Sequence, residues 1–344
     1  MEIKSFICEN VYQRNTLGLT KLVANQFGIT RQAAQKHIKQ LVASGVLSMT
    51  GTTKAAKYSF VNIATETKKF PLTAGITEDL PWRTVVRPLL DNLPQNIISI
   101  CQYGFTEMLN NAIDHSEGTS VTVSVERTAY NIVFYVKDNG IGIFRKITRD
   151  FNLDDERHAI LELSKGKLTS DPSRHSGEGV FFTSRMFDRF IIMSDRLFFS
   201  HSLEHDDWLL EHEIVHKGTS IVMDIRISST RTTRGVFNEY ATIDHPGFYK
   251  THIPLSLAQY GDENLISRSQ AKRVMARVEK FTEVVLDFKG VSEIGQAFAD
   301  EIFRVFSQAH PQIHIFYVNT NESVEWMIKR AQIPDEPFLP GFSL

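Results

Sequence analysis

Residues 103–143 read YGFTEMLNNAIDHSEGTSVTVSVERTAYNIVFYVKDNGIGI. The first part carries Glu107, Asn111 and Asp114 at i, i+4 and i+7, positions that share one face of an α-helix. Two runs with strand-like alternation follow, at 120–125 and 131–137. The second ends in Asp138-Asn139-Gly140-Ile141-Gly142, a turn that glycine permits most easily. A polar helix face and an Asp-x-Gly-x-Gly turn thus bracket a pair of strands. The arrangement suits a charged, planar ligand, and it fits a nucleotide with its metal.

The E-x-x-x-N string followed by D-x-G-x-G resembles the N box and first glycine box of the GHKL ATP-binding fold, the superfamily of gyrase, Hsp90, histidine kinases and MutL. The resemblance is closest to the histidine-kinase and anti-sigma-factor kinase branch, whose helices often read E-x-x-x-N-A-x-x-H. Here that string is Glu107, Asn111, Ala112 and His115. Ser176-Gly177-Glu178-Gly179-Val180 resembles the second glycine box. Gly218-Thr219 opens an apolar run at 220–225, as the adenine-side Gly-Thr does in the family. Any one motif is weak, and four in order at family-like spacing are specific. The resemblance implies a Bergerat α/β sandwich that binds ATP with Mg²⁺.

The residue types agree with that chemistry. An amide oxygen is a hard, neutral ligand suited to Mg²⁺, so Asn111 is the candidate metal ligand. Glu107, one turn earlier, can orient a water and is the candidate catalytic residue. A buried Asp138 can accept a hydrogen bond from the exocyclic amine of adenine. Gly140, Gly142, Gly177 and Gly179 let backbone N–H groups approach base and phosphates. Asp114, His115 and Thr219 complete the motif-borne cofactor set. The polar stretch 165–175 is the expected nucleotide lid, with Lys165, Lys167 and Arg174 as phosphate cations. The plain alternatives are an exposed polar helix face, an ordinary hairpin turn and a solvated loop.

The chain has 344 residues, 42% hydrophobic and 23% charged, ordinary for a globular protein of two or three domains. A net charge of −2 excludes a general polyanion binder. Residues 1–60 nevertheless hold eight Lys/Arg against two Asp/Glu, a balance of +6, leaving −8 for the remainder. Cys8 and Cys101 are far apart and give no metal spacing. An N-terminus with Glu2, Lys4 and Glu9, and no apolar run of membrane-spanning length, favour the cytoplasm and no membrane partner.

The basic piece, residues 1–62, reads as a winged helix-turn-helix. The string L-x-x-x-F-G-I-T-R-Q-A-A-x-K-H-I-x-x-L-x-x-x-G-V-L resembles many small bacterial repressors and activators, whose third helix enters the major groove. Arg31, Gln32 and Gln35 are candidates for base edges, and Lys36, Lys39, Lys54 and Lys57 for phosphates. Protein docking is the competing use of such a unit.

Residues 63–77 read as a linker, 78–230 as the GHKL ATP-binding domain, 228–246 as a second connector and 247–344 as a small STAS-like α/β domain. The string VVLDFKGVSEIGQAFADEIFRVF resembles a STAS-like domain of unknown function. Ordinary STAS antagonists carry a phosphorylatable Ser where this chain has Ala297, which favours docking of a partner protein or homodimerisation over phospho-acceptance. His212-Glu213-Ile214-Val215-His216 matches H-E-x-x-H, but its β-branched neighbours predict a strand, where residues four apart are about 13 Å apart and share no metal. The leading reading is an ATP-responsive DNA-binding transcriptional regulator. An anti-sigma-like serine/threonine kinase, and a regulator that binds ATP without turnover, stay open.

Overall fold

Near the N-terminus, apolar residues recur at helical spacing and bury against one another. Helices α1 (Ile3–Tyr12), α2 (Leu19–Phe27) and α3 (Arg31–Ala43) bring Ile7, Val23, Ala34 and Ile38 into a small core. Gly28 ends α2 at φ 63°, the left-handed conformation that glycine adopts without strain. Thr30 caps α3, its Oγ1 accepting from Ala33 N at 3.2 Å. The hairpin of β1 (Leu47–Thr50) and β2 (Lys57–Phe60) closes the unit with Leu47 and Tyr58. The computed structural model describes residues 2–52, 55–73, 75–169, 176–203, 208–241, 247–259 and 263–333. Lys54, Arg174 and the rest of 170–175 therefore lie outside the described residues.

The middle of the chain forms a five-stranded antiparallel sheet of order β3-β4-β5-β7-β6. Its strands are β3 (Asn62–Pro71), β4 (Ser120–Thr128), β5 (Asn131–Asp138), β6 (Arg189–Ser202) and β7 (Trp208–Arg226). Alternation sends Val121, Val123, Val125, Ile132, Phe134 and Val136 into the core. There they meet α5 (Gln95–His115), as Phe105 and Phe134 do at 6.3 Å between ring centres. Each such side chain contributes roughly 1.5–3 kcal/mol by leaving water. Helices α6 (Ile143–Phe151), α7 (Glu156–Lys165) and α8 (Gly179–Met186) add to the same core.

Two connectors of the sequence reading are corrected. Residues 63–77 are not a plain linker, since β3 pairs with β4 along its length. It is an edge strand with one fully buried side chain, Phe70, so no apolar alternation marks it. Before α5, the short α4 (Asp79–Pro81) runs on through π and 3₁₀ turns to Leu90. The second connector contains α9 (Thr233–Glu239), capped by Thr232, with Phe237 packed on Tyr103 and Phe182. Residues 212–216 fall on β7, as strand.

The C-terminal residues build a parallel sheet of order β10-β9-β8, from β8 (Lys250–Pro254), β9 (Glu283–Asp287) and β10 (His314–Val318). Helix α10 (Arg268–Met275) lies between β8 and β9. α11 (Gln296–Asp300) continues through a π segment into α12 (Ser307–Ala309), and α13 (Glu322–Gln332) follows β10. Their buried residues belong to the same continuous core as the five-stranded sheet. No helix of the described residues is long and apolar enough to cross a membrane.

The N-terminal unit docks on the far end of β5 and β7. Tyr130 Oη donates to Glu9 Oε2 at 2.6 Å, and its ring stacks on Phe60 at 4.8 Å. Arg226 bridges Glu9 at 3.1 Å and Asp188 at 2.8 Å. Beneath this cluster, burial pushes the Asp224 carboxyl up to about 6, against a hydrogen bond from Asn131 at 2.7 Å.

Candidate functional site

α5 buries its apolar stripe and turns its polar stripe to a cavity of about 410 Å³. Glu107, Asn111 and His115 line one wall. Asp114 does not. It is exposed, although i+7 places it within about 20° of Glu107 round the helix, whereas His115 lines the cavity.

The floor is the end of β5 and its partner in β7. Asp138 is 5% exposed, and its Oδ1 accepts from Gly140 N at 2.8 Å and Thr219 N at 3.1 Å. Thr219 Oγ1 in turn accepts from Ile143 N at 2.9 Å, tying β7 to the start of α6. Burial pushes the Asp138 carboxyl above its ordinary range, and the Gly140 and Thr219 hydrogen bonds oppose it. Glycine is required around this carboxylate: a Cβ on Gly140 would collide with Ser116 O, and one on Gly218 with Asp138 itself. Gly142, at φ 94°, caps α6 and lines the cavity.

The opposite wall is the second glycine stretch. Gly177 adopts φ 72°, and its Cα lies against the backbone of Leu168, whose N–H donates to Gly177 O at 3.2 Å. Gly179 starts α8 directly against Glu107, where a Cβ would run into the carboxylate. The start of α8 therefore faces the same space as Glu107 and Asn111, and a helix N-terminus favours an anion.

Two expected phosphate cations are corrected. Lys165 is 1% exposed and turned away from the cavity. Its Nζ donates to Glu162 Oε1 at 2.6 Å, Ala276 O at 2.9 Å and Arg273 O at 3.2 Å. Lys167 Nζ donates to Lys280 O at 2.9 Å and sits over the Phe248 and Phe281 rings. Both are committed to the C-terminal α/β unit, whose Thr251 Oγ1 also donates to Lys165 O at 2.7 Å. Burial lowers the affinity of both ammonium groups for a proton. Among the described residues, the lysine that lines the cavity is Lys146, with Asp150 one turn along α6. Ile143, Lys146, Ile147 and Asp150 follow i, i+3, i+4, i+7. Applying to α6 the face rule that picked out α5 would have found them.

On the N-terminal unit, Arg31, Gln32, Gln35, Lys36 and Lys39 share one shallow concave face of α3. Lys57 is exposed on β2. Gln35 is partly committed, its Oε1 accepting from Thr20 Oγ1 at 2.6 Å. In the C-terminal unit Ala297 is exposed at the start of α11.

A buried carboxylate at a strand end, a polar helix face and two glycine turns thus surround one cavity. Residues 99–227 match the family model for the histidine kinase-, DNA gyrase B- and HSP90-like ATPase. Residues 270–325 match that of a STAS-like domain of unknown function. The chain thus joins a GHKL-type ATPase domain to a STAS-like domain. No curated protein matches it significantly.

Proposed function

We propose that the chain is an ATP-responsive DNA-binding regulator. ATP enters the cavity with its adenine amine on Asp138 and its phosphates along α5 and the start of α8. The donor set suits a bound Mg²⁺: Asn111 offers an amide oxygen on the cavity wall, beside the Glu107 carboxylate. Bound there, the ion would neutralise phosphate charge. Glu107 orients water toward the terminal phosphate. Glu107→Gln keeps the shape and should leave ATP affinity intact while lowering turnover by about 100-fold or more. A single-turnover assay with matched binding measurements checks this, and unchanged turnover would remove Glu107 from the chemistry.

One observation carries the regulatory half. β5 and β7 run from the cavity floor, Asp138 and Thr219, to the dock of the N-terminal unit, Tyr130 and Arg226. The eight residues of β5 span roughly 23 Å at about 3.3 Å per residue. Nucleotide at one end and the winged helix at the other thus load the same two strands. The winged helix would present α3 to the major groove, with Arg31, Gln32 and the amide of Gln35 toward bases and Lys36, Lys39 and Lys57 toward phosphates.

DNA affinity is expected to fall steeply with salt. Lys36→Ala should weaken all sequences alike and flatten the salt slope by about one unit, whereas Gln32→Ala should cost about 1–3 kcal/mol at the preferred site only. ATP, compared with ADP and with neither, should change DNA affinity by about 5- to 150-fold. Asn111→Ala should abolish the difference. Equal affinities in all three states would leave the DNA-binding unit uncoupled. Absence of DNA binding would reassign that unit to protein docking.

A further inference from the structure

The cavity is acidic for a site that takes a polyanion. Glu107, Asp138 and Asp150 line it, and among the described residues Lys146 is the one lysine or arginine that does so. Lys165 and Lys167 cannot serve without abandoning the C-terminal unit, where the Arg273, Ala276 and Lys280 carbonyls and the Phe248 and Phe281 rings hold their ammonium groups and Thr251 holds the Lys165 carbonyl. Lys146 is instead held at the rim. Its Nζ lies 3.0 Å from Asp150 Oδ2 on its own helix and 3.3 Å from Glu117 Oε1, which follows the end of α5. Arg149 reaches the same Glu117 at 2.5 Å. The side chain of Lys146 is 18% exposed and lines the cavity.

We infer that Lys146 is a nucleotide-binding residue that contacts the α-phosphate, exchanging its Glu117 partner for the ligand. This deepens the ATP reading and rests on it. The placement follows from where the cavity's ends lie. Gly179 packs on Glu107 at one end, the terminal-phosphate side. His115 and Ser116 line the other, next to Glu117 in the chain. The base rests on Asp138 in the floor. A cation tethered beside Glu117 therefore meets the phosphate nearest the ribose, not the terminal one.

The exchange is favourable because Glu117 is replaceable. Its carboxyl is held down to about 2, first by the Arg149 hydrogen bond and then by that of Lys146, so Arg149 keeps it paired when Lys146 leaves. Asp150 stays beside Lys146. Burial alone would raise the Asp150 carboxyl, but hydrogen bonds from Lys146 and Arg149 outweigh it and keep it ionised. It thereby fixes the lysine's stem along α6.

Three variants and four ligands test this in the intact chain. Lys146→Met should weaken ATP, ADP and AMP alike, by about tenfold, the size of one charge-assisted hydrogen bond. It should leave adenosine unchanged, and Lys146→Arg should recover most of the loss. Glu117→Gln removes the competing carboxylate and should tighten the three phosphorylated ligands by about two- to threefold. A purely structural rim bridge predicts weaker binding in Lys146→Met and Glu117→Gln alike, adenosine included, and that result would overturn the inference. So would a loss confined to ATP, which would put Lys146 at the terminal phosphate. Failure of the underlying ATP reading is distinguishable: it is wild-type protein that binds none of the four ligands, or an Asp138→Ala variant that binds adenosine as tightly as wild type.

Discussion

Asp138→Ala is expected to lower ATP affinity by about 100-fold, the equivalent of about 2.7 kcal/mol. Two losses combine. The adenine amine loses an ionised acceptor, and Gly140 N and Thr219 N lose the oxygen that both address. The loss should hold with and without Mg²⁺, since the contact is to the base. Asn111→Ala should instead remove only the Mg²⁺-dependent part of affinity. Asp138→Asn separates the two losses further, because its amide oxygen can still accept from Gly140 and Thr219 while its NH₂ opposes the adenine amine. Calorimetry in which Asp138→Asn binds ATP as tightly as wild type would remove Asp138 from base recognition. The pH dependence has a fixed sign. Burial raises the Asp138 carboxyl, so lowering the pH protonates it earlier than an ordinary Asp. The acceptor is lost, and ATP affinity should fall toward acid and be full above that raised pKa.

The parts of the site that sequence exposes are those whose constraint is local. Glu107 and Asn111 repeat at one helix turn, and the turns at Gly140, Gly142 and Gly177 need glycine for reasons of backbone space. The alternation of β4 and β5 is visible because one face is buried. β3 is not visible, because nearly all its side chains face water and its identity as a strand comes from the β4 backbone. Lys165 misleads for a related reason. In a Lys-, Ser-, Thr- and Gly-rich stretch its charge suggests phosphate, yet its partners Arg273 and Ala276 lie more than a hundred residues away. Lys146 misleads in the opposite direction, since a lysine on an amphipathic helix reads as solvated. Asp114 follows the spacing of a helix face, yet it is exposed and does not line the cavity.

The burial of Lys165 has the largest expected effect on stability. Lys165→Ala strands Glu162, 2% exposed, with Arg277 at 3.5 Å and His158 at 3.5 Å as its remaining partners. Removing one member of a buried pair costs about 3–5 kcal/mol, whereas replacing both with apolar residues of similar volume is often neutral. The double variant Lys165→Met/Glu162→Leu should therefore recover most of the loss, which a packing defect alone would not allow. Hydrogen exchange at α7 and α10 reads the effect locally, as opening about 100- to 1000-fold more frequent in Lys165→Ala. The site also carries a functional consequence. Leu168 and Thr169 line the nucleotide cavity, while Lys165 and Lys167, a few residues earlier, are held by the STAS-like domain. Phe151, another cavity residue, gives its carbonyl to Arg277 of that domain at 3.3 Å. Nucleotide that draws Leu168 and Thr169 inward must pull on α10 and the segment after it. Faster exchange at α10 in Lys165→Ala should accordingly come with loss of any ATP-induced protection there. Protection at α10 that ATP induces equally in both proteins would show that Leu168 and Thr169 are not coupled to the STAS-like domain through Lys165.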